Sequence, residues 1–197
     1  MAVELIVVGA SWGGLHAMSQ LLAGLPEDFE PPIALAQHRA PQAPDLLVAS
    51  LQRTTARPVR EAEDKDPVEA GVVYVAPADY HLLIGPTGFE LSVDERVQHA
   101  RPSIDVLFES AAENYGPRLI GVLLTGANPD GTAGLGRIRA EGGSTVVQDP
   151  ADATSPRMPQ AAITAGVADR VVPLAAMATT LVGAWRAGRL VAPRGAA

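Results

Sequence analysis

The sequence predicts an α/β protein with a doubly wound, mostly parallel sheet, helices on both faces and an antiparallel hairpin near the edge. Three observations carry that expectation. Short β-rich apolar runs alternate with segments of helical period along the whole 197 residues. Most of these runs are continuously apolar rather than alternating, as strands buried on both faces are. Hydrophobic residues make up 47% of the chain against 19% charged, enough for a core that needs neither metal nor disulfide.

The elements follow in order. A strand over Leu5–Val8 runs into Gly9-Ala10-Ser11-Trp12-Gly13-Gly14, and a helix follows with the apolar stripe Leu15, Met18, Leu22 and Leu25, stopped by Pro26. Next come a strand over Ile33–Ala36, a helix over Asp45–Gln52 and a strand over Val72–Val75. The runs His81–Ile84 and Phe89–Val93 flank Gly85-Pro86-Thr87-Gly88 and read as a hairpin, at an edge or over a site. In Ser103–Tyr115 the residues Ile104, Leu107, Phe108, Ala111, Ala112 and Tyr115 fall at helical spacing, and Gly116-Pro117 ends the segment. A strand over Leu119–Leu124, a helix over Gly131–Ala140, a strand over Thr145–Val147, a helix over Pro159–Ala165, a strand over Arg170–Val172 and a helix over Ala175–Ala187 complete the pattern. Arg194–Ala197 reads as a loose tail, and residues 1–197 as a single domain.

Charge and composition exclude several classes. With 15 Lys+Arg against 22 Asp+Glu the net charge is −7, and aromatics are only 4%, so there is no basic stripe and no stacking platform for nucleic acid. No apolar run reaches the ~18 residues of a membrane span, and Glu4 stands where a signal peptide carries basic residues. The expected location is cytoplasmic. The chain has no cysteine, which rules out thiolate nucleophiles, disulfides and Cys-based metal sites. Catalysis must use oxygen and nitrogen groups, and no cofactor or metal is expected.

Ligand sites in open α/β sheets lie beyond the carboxyl ends of the strands. Three such ends carry reactive residue types: Ser11 after the first strand, His38 after the second, and Asp130 in Thr125-Gly126-Ala127-Asn128-Pro129-Asp130-Gly131. A hydroxyl nucleophile, an imidazole to take its proton and a carboxylate to orient that imidazole are what a serine hydrolase needs. The glycines around Ser11 allow a sharp passage from strand to helix, which presents the serine where free N–H groups favour an oxyanion. A plain tight turn or a phosphate loop would use the same glycines, although the spelling fits neither G-x-G-x-x-G nor a P-loop. His16, His81 and His99 are rivals to His38, and Asp149 is a rival to Asp130. Spacing does not separate them.

Several segments together resemble the catalytic domain of CheB-type chemotaxis protein-glutamate methylesterases. They are Val8–Gly14, Gln37-His38, Tyr74–Leu83, Arg101–Phe108, Gly121–Gly126, Asp130-Gly131 and Gln148-Asp149-Pro150, and the likeness runs in order from about Val3 to Leu174. The resemblance implies hydrolysis of glutamate methyl esters on the cytoplasmic helices of chemoreceptors, with methanol released, and deamidation of certain glutamines by the same acyl chemistry. It assigns Ser11 as nucleophile, His38 as general base and Asp130 as orienting acid. It places the oxyanion donors at the backbone N–H groups of Trp12 and Ala127.

The sequence departs from the family pattern in four places. Trp12 replaces a Thr or Ser; Gln-His-Met-Pro becomes Gln37-His38-Arg39-Ala40-Pro41; Ala127 and Pro129 change the Thr-Gly-Met-Gly-x-Asp-Gly loop; and Met158-Pro159-Gln160 has Arg157 before it instead of an Arg after it. These changes touch the lining and leave the three reactive side chains in place. A divergent relative acting on another ester or amide, and a non-catalytic receptor-docking module, are the alternative readings. Because receptor methylation regions and this chain are both acidic, a local basic patch is expected to dock the substrate, with Arg39, Arg101, Arg157 and the neighbouring Met158 on the substrate side. Ser11 lies ten residues from Met1, so no N-terminal receiver domain is expected, and a phosphodonor such as acetyl phosphate should leave the rate unchanged.

Overall fold

The computed structural model describes residues 2–41, 46–188 and 190. Along the chain, β1 (Leu5–Ala10) leads into α1 (Gly14–Ala23), and β2 (Ile33–Gln37) into α2 (Leu47–Gln52), followed by β3 (Val59–Glu61) and β4 (Val73–Val75). The hairpin strands β5 (His81–Ile84) and β6 (Phe89–Ser92) come next, then α3 (Ile104–Tyr115), β7 (Leu119–Leu123), α4 (Thr132–Ala140), β8 (Ser144–Gln148), α5 (Arg157–Thr164), β9 (Arg170–Val172) and α6 (Leu174–Ala187).

Seven strands form one sheet in the order β3-β4-β2-β1-β7-β8-β9, and every pairing in it is parallel. The chain winds outward from β1 through β2 to the edge strand β3 and steps back to place β4 between them, then returns to β7 and winds outward on the other side. The reversal leaves a crevice beyond the carboxyl ends of β1 and β7. The residues just after those ends are Ser11 and the loop from Leu124 to Gly131.

Strand pleating divides the core in two. Ile6, Val8 and Ala10 of β1 join Met18, Leu21 and Leu22 of α1 and Met177 and Leu181 of α6 on one face. Leu5 and Val7 join Leu107 and Phe108 of α3 and Leu135 and Ile138 of α4 on the other. Phe108 is fully buried, and truncating such a side chain to alanine costs on the order of 3–5 kcal/mol. Both faces of β1 are thus covered, as its unbroken apolar run requires.

The hairpin makes a two-stranded sheet of its own. It is tied to α3, where the Ile84 N–H donates to Ser110 Oγ at 3.0 Å and Asn114 Nδ2 donates to the Ile84 carbonyl at 2.9 Å. Phe89 packs against Tyr74 of β4, the strand next to the sheet's edge, with ring centroids 4.5 Å apart and the rings tilted by 50°.

The structure differs from the sequence reading in a few elements. Strand β3 carries no sequence signal of its own, being a three-residue edge strand that follows a proline and contains Arg60 and Glu61. Helix α5 begins at Arg157, two residues before the expected start at Pro159. Leu15 is 44% exposed and leaves the apolar stripe of α1. The expected helix start Asp45 and the tail Arg194–Ala197 lie outside the described residues, within which no helix is long and apolar enough to cross a membrane.

Candidate active site

The loop after β7 carries Asp130 against the start of α3, where it is fully buried. Its Oδ1 accepts from Ser103 Oγ and from the Asp105 N–H, both at 3.0 Å. Its Oδ2 accepts from the Ile104 N–H at 2.8 Å and pairs with His38 Nε2 at 2.7 Å. Ile104 and Asp105 open α3, so their N–H groups have no partner within the helix. Asp130 supplies the missing acceptors from another part of the chain, and the helix dipole favours its charge. Burial alone would raise this carboxyl's pKa. The His38 hydrogen bond and the two backbone N–H groups outweigh burial and hold it below the usual carboxylate range. Gly131 then turns the chain with φ of 94°, and a Cβ there would stand 2.6 Å from Leu123 and 2.7 Å from Ile104. Only glycine delivers the preceding aspartate to this position.

Behind Asp130 lies Asp105, 4% exposed. Its Oδ1 accepts from the Gly134 N–H at 2.8 Å and its Oδ2 from Gln98 Nε2 at 3.0 Å. Burial is the larger cause that pushes this carboxyl up to about 6. The Gly134 N–H opposes the rise and the charge of Asp130 adds to it.

Ser11 sits at the other end of the site, in the turn between β1 and α1. Gly13 makes that turn with φ of 83°. The Ser11 N–H donates to the Thr125 carbonyl at 2.9 Å, and Thr125 Oγ1 donates to the Trp12 carbonyl at 2.8 Å. These bonds pin the β1 turn to the β7 loop. Among the described residues, Ser11 Oγ has no hydrogen-bond partner, and the backbone N–H groups of Trp12 and Ala127 donate to nothing. His38 uses Nε2 toward Asp130, which leaves Nδ1 as the ring nitrogen for the serine. Ser11, Trp12, Leu15, His16 and His38 line an open cavity of about 660 Å³. Trp12 is 68% exposed at its rim.

The rival residues do not join the His38–Asp130 pair, although His16 lines the cavity with Ser11 and His99 lines a second one with His38. His16 and His99 are exposed. His81 is buried, donating from Nε2 to the Glu95 carbonyl at 3.1 Å and accepting at Nδ1 from the Ser103 N–H at 3.2 Å. Asp149 accepts the Ala151 N–H at 2.9 Å and closes a local turn.

The substrate-side expectation needs correction at Met158, while Arg39 and Arg101 line a cavity with His38 but are already paired. Met158 is fully buried, and a Cβ placed on Gly126 would lie 2.5 Å from its Sδ and Cε. It therefore supports the β7 loop from beneath and does not face the cavity. Arg39 is ion-paired with Glu61 and donates to the Ala76 carbonyl at 3.1 Å. Arg101 donates to Asp79 at 2.9 and 3.2 Å and to the carbonyls of Val93 and Asp94 at 2.6 and 2.9 Å. Both arginines are committed to loop structure, while Arg157 is exposed at the start of α5.

The sequence reading assigned no role to Gln37, Ser103, Thr125 or Asp105. Most of their partners lie far along the chain, and the available signal was that all four fall within the segments Gln37-His38, Arg101–Phe108 and Gly121–Gly126 that carry the resemblance. Among the described residues, no three His, Asp or Glu side chains gather as metal ligands.

A parallel sheet whose switch point holds a serine and backbone donors left unpaired among the described residues, with an aspartate-bound histidine beside them, defines an α/β domain of serine-hydrolase type. The comparisons with known proteins are more specific. The chain belongs to the CheB methylesterase family, whose model matches residues 6–181. It is 45% identical over 183 residues to a putative protein-glutamate methylesterase/protein-glutamine glutaminase of Leptospira interrogans, covering 92% of this chain and 95% of that one. It is 41% identical over 179 residues to protein-glutamate methylesterase FrzG of Myxococcus xanthus, covering 90% of this chain and 54% of that one. The crystal structure of the Thermotoga maritima CheB methylesterase catalytic domain superimposes with a TM-score of 0.89 at 32% identity, covering 93% of this chain and 99% of that one.

Proposed function

We propose that this chain is a protein-glutamate methylesterase that also deamidates glutamines, acting in the cytoplasm on methylated chemoreceptor helices without a cofactor. The observation that carries the reading is the His38–Asp130 pair at 2.7 Å beside Ser11, at the switch point of the sheet.

In this mechanism Ser11 Oγ attacks the ester carbonyl while His38 Nδ1 takes the hydroxyl proton. Asp130 holds the ring and stabilises the imidazolium. The carbonyl π electrons move to oxygen, which the Trp12 and Ala127 N–H groups receive. Collapse of the tetrahedral adduct breaks the bond to methoxide, which leaves as methanol with the proton from His38. Water then attacks the acyl-serine and gives its proton to His38; collapse of this second adduct breaks the bond to Ser11 Oγ, which takes the proton back from His38 as the glutamate is released. With a glutamine substrate, ammonia takes the place of methanol.

Trp12 and Leu15 offer an exposed apolar rim for the substrate helix, and exposed Arg157 offers a cation for its carboxylates. The test is methanol release from a methylated receptor fragment. The expected result is turnover by the wild type and none by Ser11→Ala or His38→Ala. Wild-type rates in either variant would overturn the proposal.

A further inference from the structure

We infer that Gln37 is a positioning residue of this hydrolysis, its side-chain amide fixing the spacing between Ser11 and His38. The inference rests on the reading of Ser11 and His38 given above.

Ala10 and Gln37 are paired in the parallel ladder of β1 and β2, and the His38 N–H donates to the Ala10 carbonyl at 3.1 Å. Beyond that rung the two strands part. Ser11 turns into α1, and His38 enters the loop toward Pro41. The sheet no longer holds the two residues together, and among the described residues no hydrogen bond joins Ser11 Oγ to His38.

The Gln37 amide spans the gap. Its single NH₂ group donates to the Ser11 carbonyl at 2.8 Å and to the His38 carbonyl at 3.0 Å. One planar group thus ties the backbone of the nucleophile to the backbone of the base, replacing the missing rung.

The other half of the amide shows that this orientation is imposed. Among the described residues Gln37 Oε1 is buried without a hydrogen-bond partner, which is a cost that folded proteins generally avoid. It lies against the first residue of α1, where a Cβ on Gly14 would stand 2.0 Å away. The positive end of the helix dipole partly compensates an oxygen there. Turning the amide over would set that oxygen against two carbonyls and remove both donors. The unpaired acceptor is tolerated because the NH₂ side is needed between Ser11 and His38.

Displacements on the order of 1 Å between reacting groups cost about 100-fold in rate. Gln37→Met, which fills the space without a donor, is therefore expected to slow labelling of Ser11 by a fluorophosphonate about 10–100-fold per folded molecule. The kcat for methanol release should fall by the same factor, with KM held within about two-fold. Gln37→Glu places a carboxylate against the two carbonyls and should lose at least as much. Its rate relative to wild type should recover on acidification, when a protonated carboxyl regains one donor. Melting temperatures of both variants establish the folded fraction. Wild-type labelling rates per folded molecule, or a loss carried wholly by KM, would overturn the inference and leave the proposed function standing. Failure of the wild type to label at Ser11 would overturn the proposed function and the inference with it.

Discussion

Asp130 is fully buried among the hydroxyl of Ser103, the backbone N–H groups of Ile104 and Asp105 and the ring of His38. At the other end of the same site Ser11 carries a hydroxyl with no partner among the described residues, beside an indole that is 68% exposed. The contrast follows from what each group does. A carboxylate that stabilises a transient imidazolium must keep its charge and its direction throughout, so its partners are in place before substrate arrives. A nucleophile must exchange its partners during the reaction, so any firm bond to its hydroxyl would have to be broken first. The acid end is therefore joined to the fold, and the nucleophile end is left open to substrate.

Four substitutions break or sharpen this contrast. Ser11→Ala should lower kcat by about 10⁶-fold, the size of effect seen when a serine hydrolase loses its nucleophile. It should leave thermal unfolding almost unchanged, and calorimetry beside methanol assays checks both halves. Asp130→Asn should lose about 10⁴-fold in rate through the wrong His38 tautomer. It should also lose about 1–3 kcal/mol of stability, because an amide NH₂ replaces an acceptor that buried donors need. Denaturant titration reads that loss, and a fully stable Asp130→Asn would erase the distinction between the two ends.

Asp105 tests the acid end by pH. An acid whose folded pKa is raised, here to about 6 from 3.8, holds its proton more tightly when folded. Its stabilising contribution is present below about pH 4 and is lost as pH rises through about 6. Asp105→Asn removes that loss, and exposed Gln98 is free to turn its amide to suit. The variant should gain stability over wild type as pH rises from about 4 to 7 and converge with it near pH 4. Equal stability profiles from pH 4 to 7 would contradict the environment assigned to Asp105. The smallest effect is expected at the open end. Trp12→Ala should shift stability by less than about 0.5 kcal/mol, while KM for a methylated receptor fragment rises several-fold and kcat for a small activated ester holds.

Much of the fold was legible because apolar runs and helical stripes report burial directly. Leu5–Val8 and Ser103–Tyr115 appear in the structure almost as read, as β1 and α3. Strand β3 was illegible because an edge strand of three residues with two charged side chains has no periodicity to display. At the site, position after a strand selected Ser11 and His38, but it did not separate Asp130 from Asp149, since both follow strands. What separates them is contact with the start of α3, made by residues 25–27 positions away. The same limit explains the arginines. Arg39 and Arg101 read as free cations until Glu61 and Asp79, 22 positions distant in each case, are seen to hold them. Met158 read as a substrate-side residue from its place in the Met158-Pro159-Gln160 segment beside Arg157, and its burial became visible only in the fold.

Because Asp130 caps α3, the residue is answerable to folding as well as to reaction. Descendants of this domain that abandoned hydrolysis would shed Ser11 at little structural cost, while Asp130 would persist for the helix it holds. Among related sequences, a retained Asp130 is therefore no sign of a living enzyme, and the serine is the position to inspect.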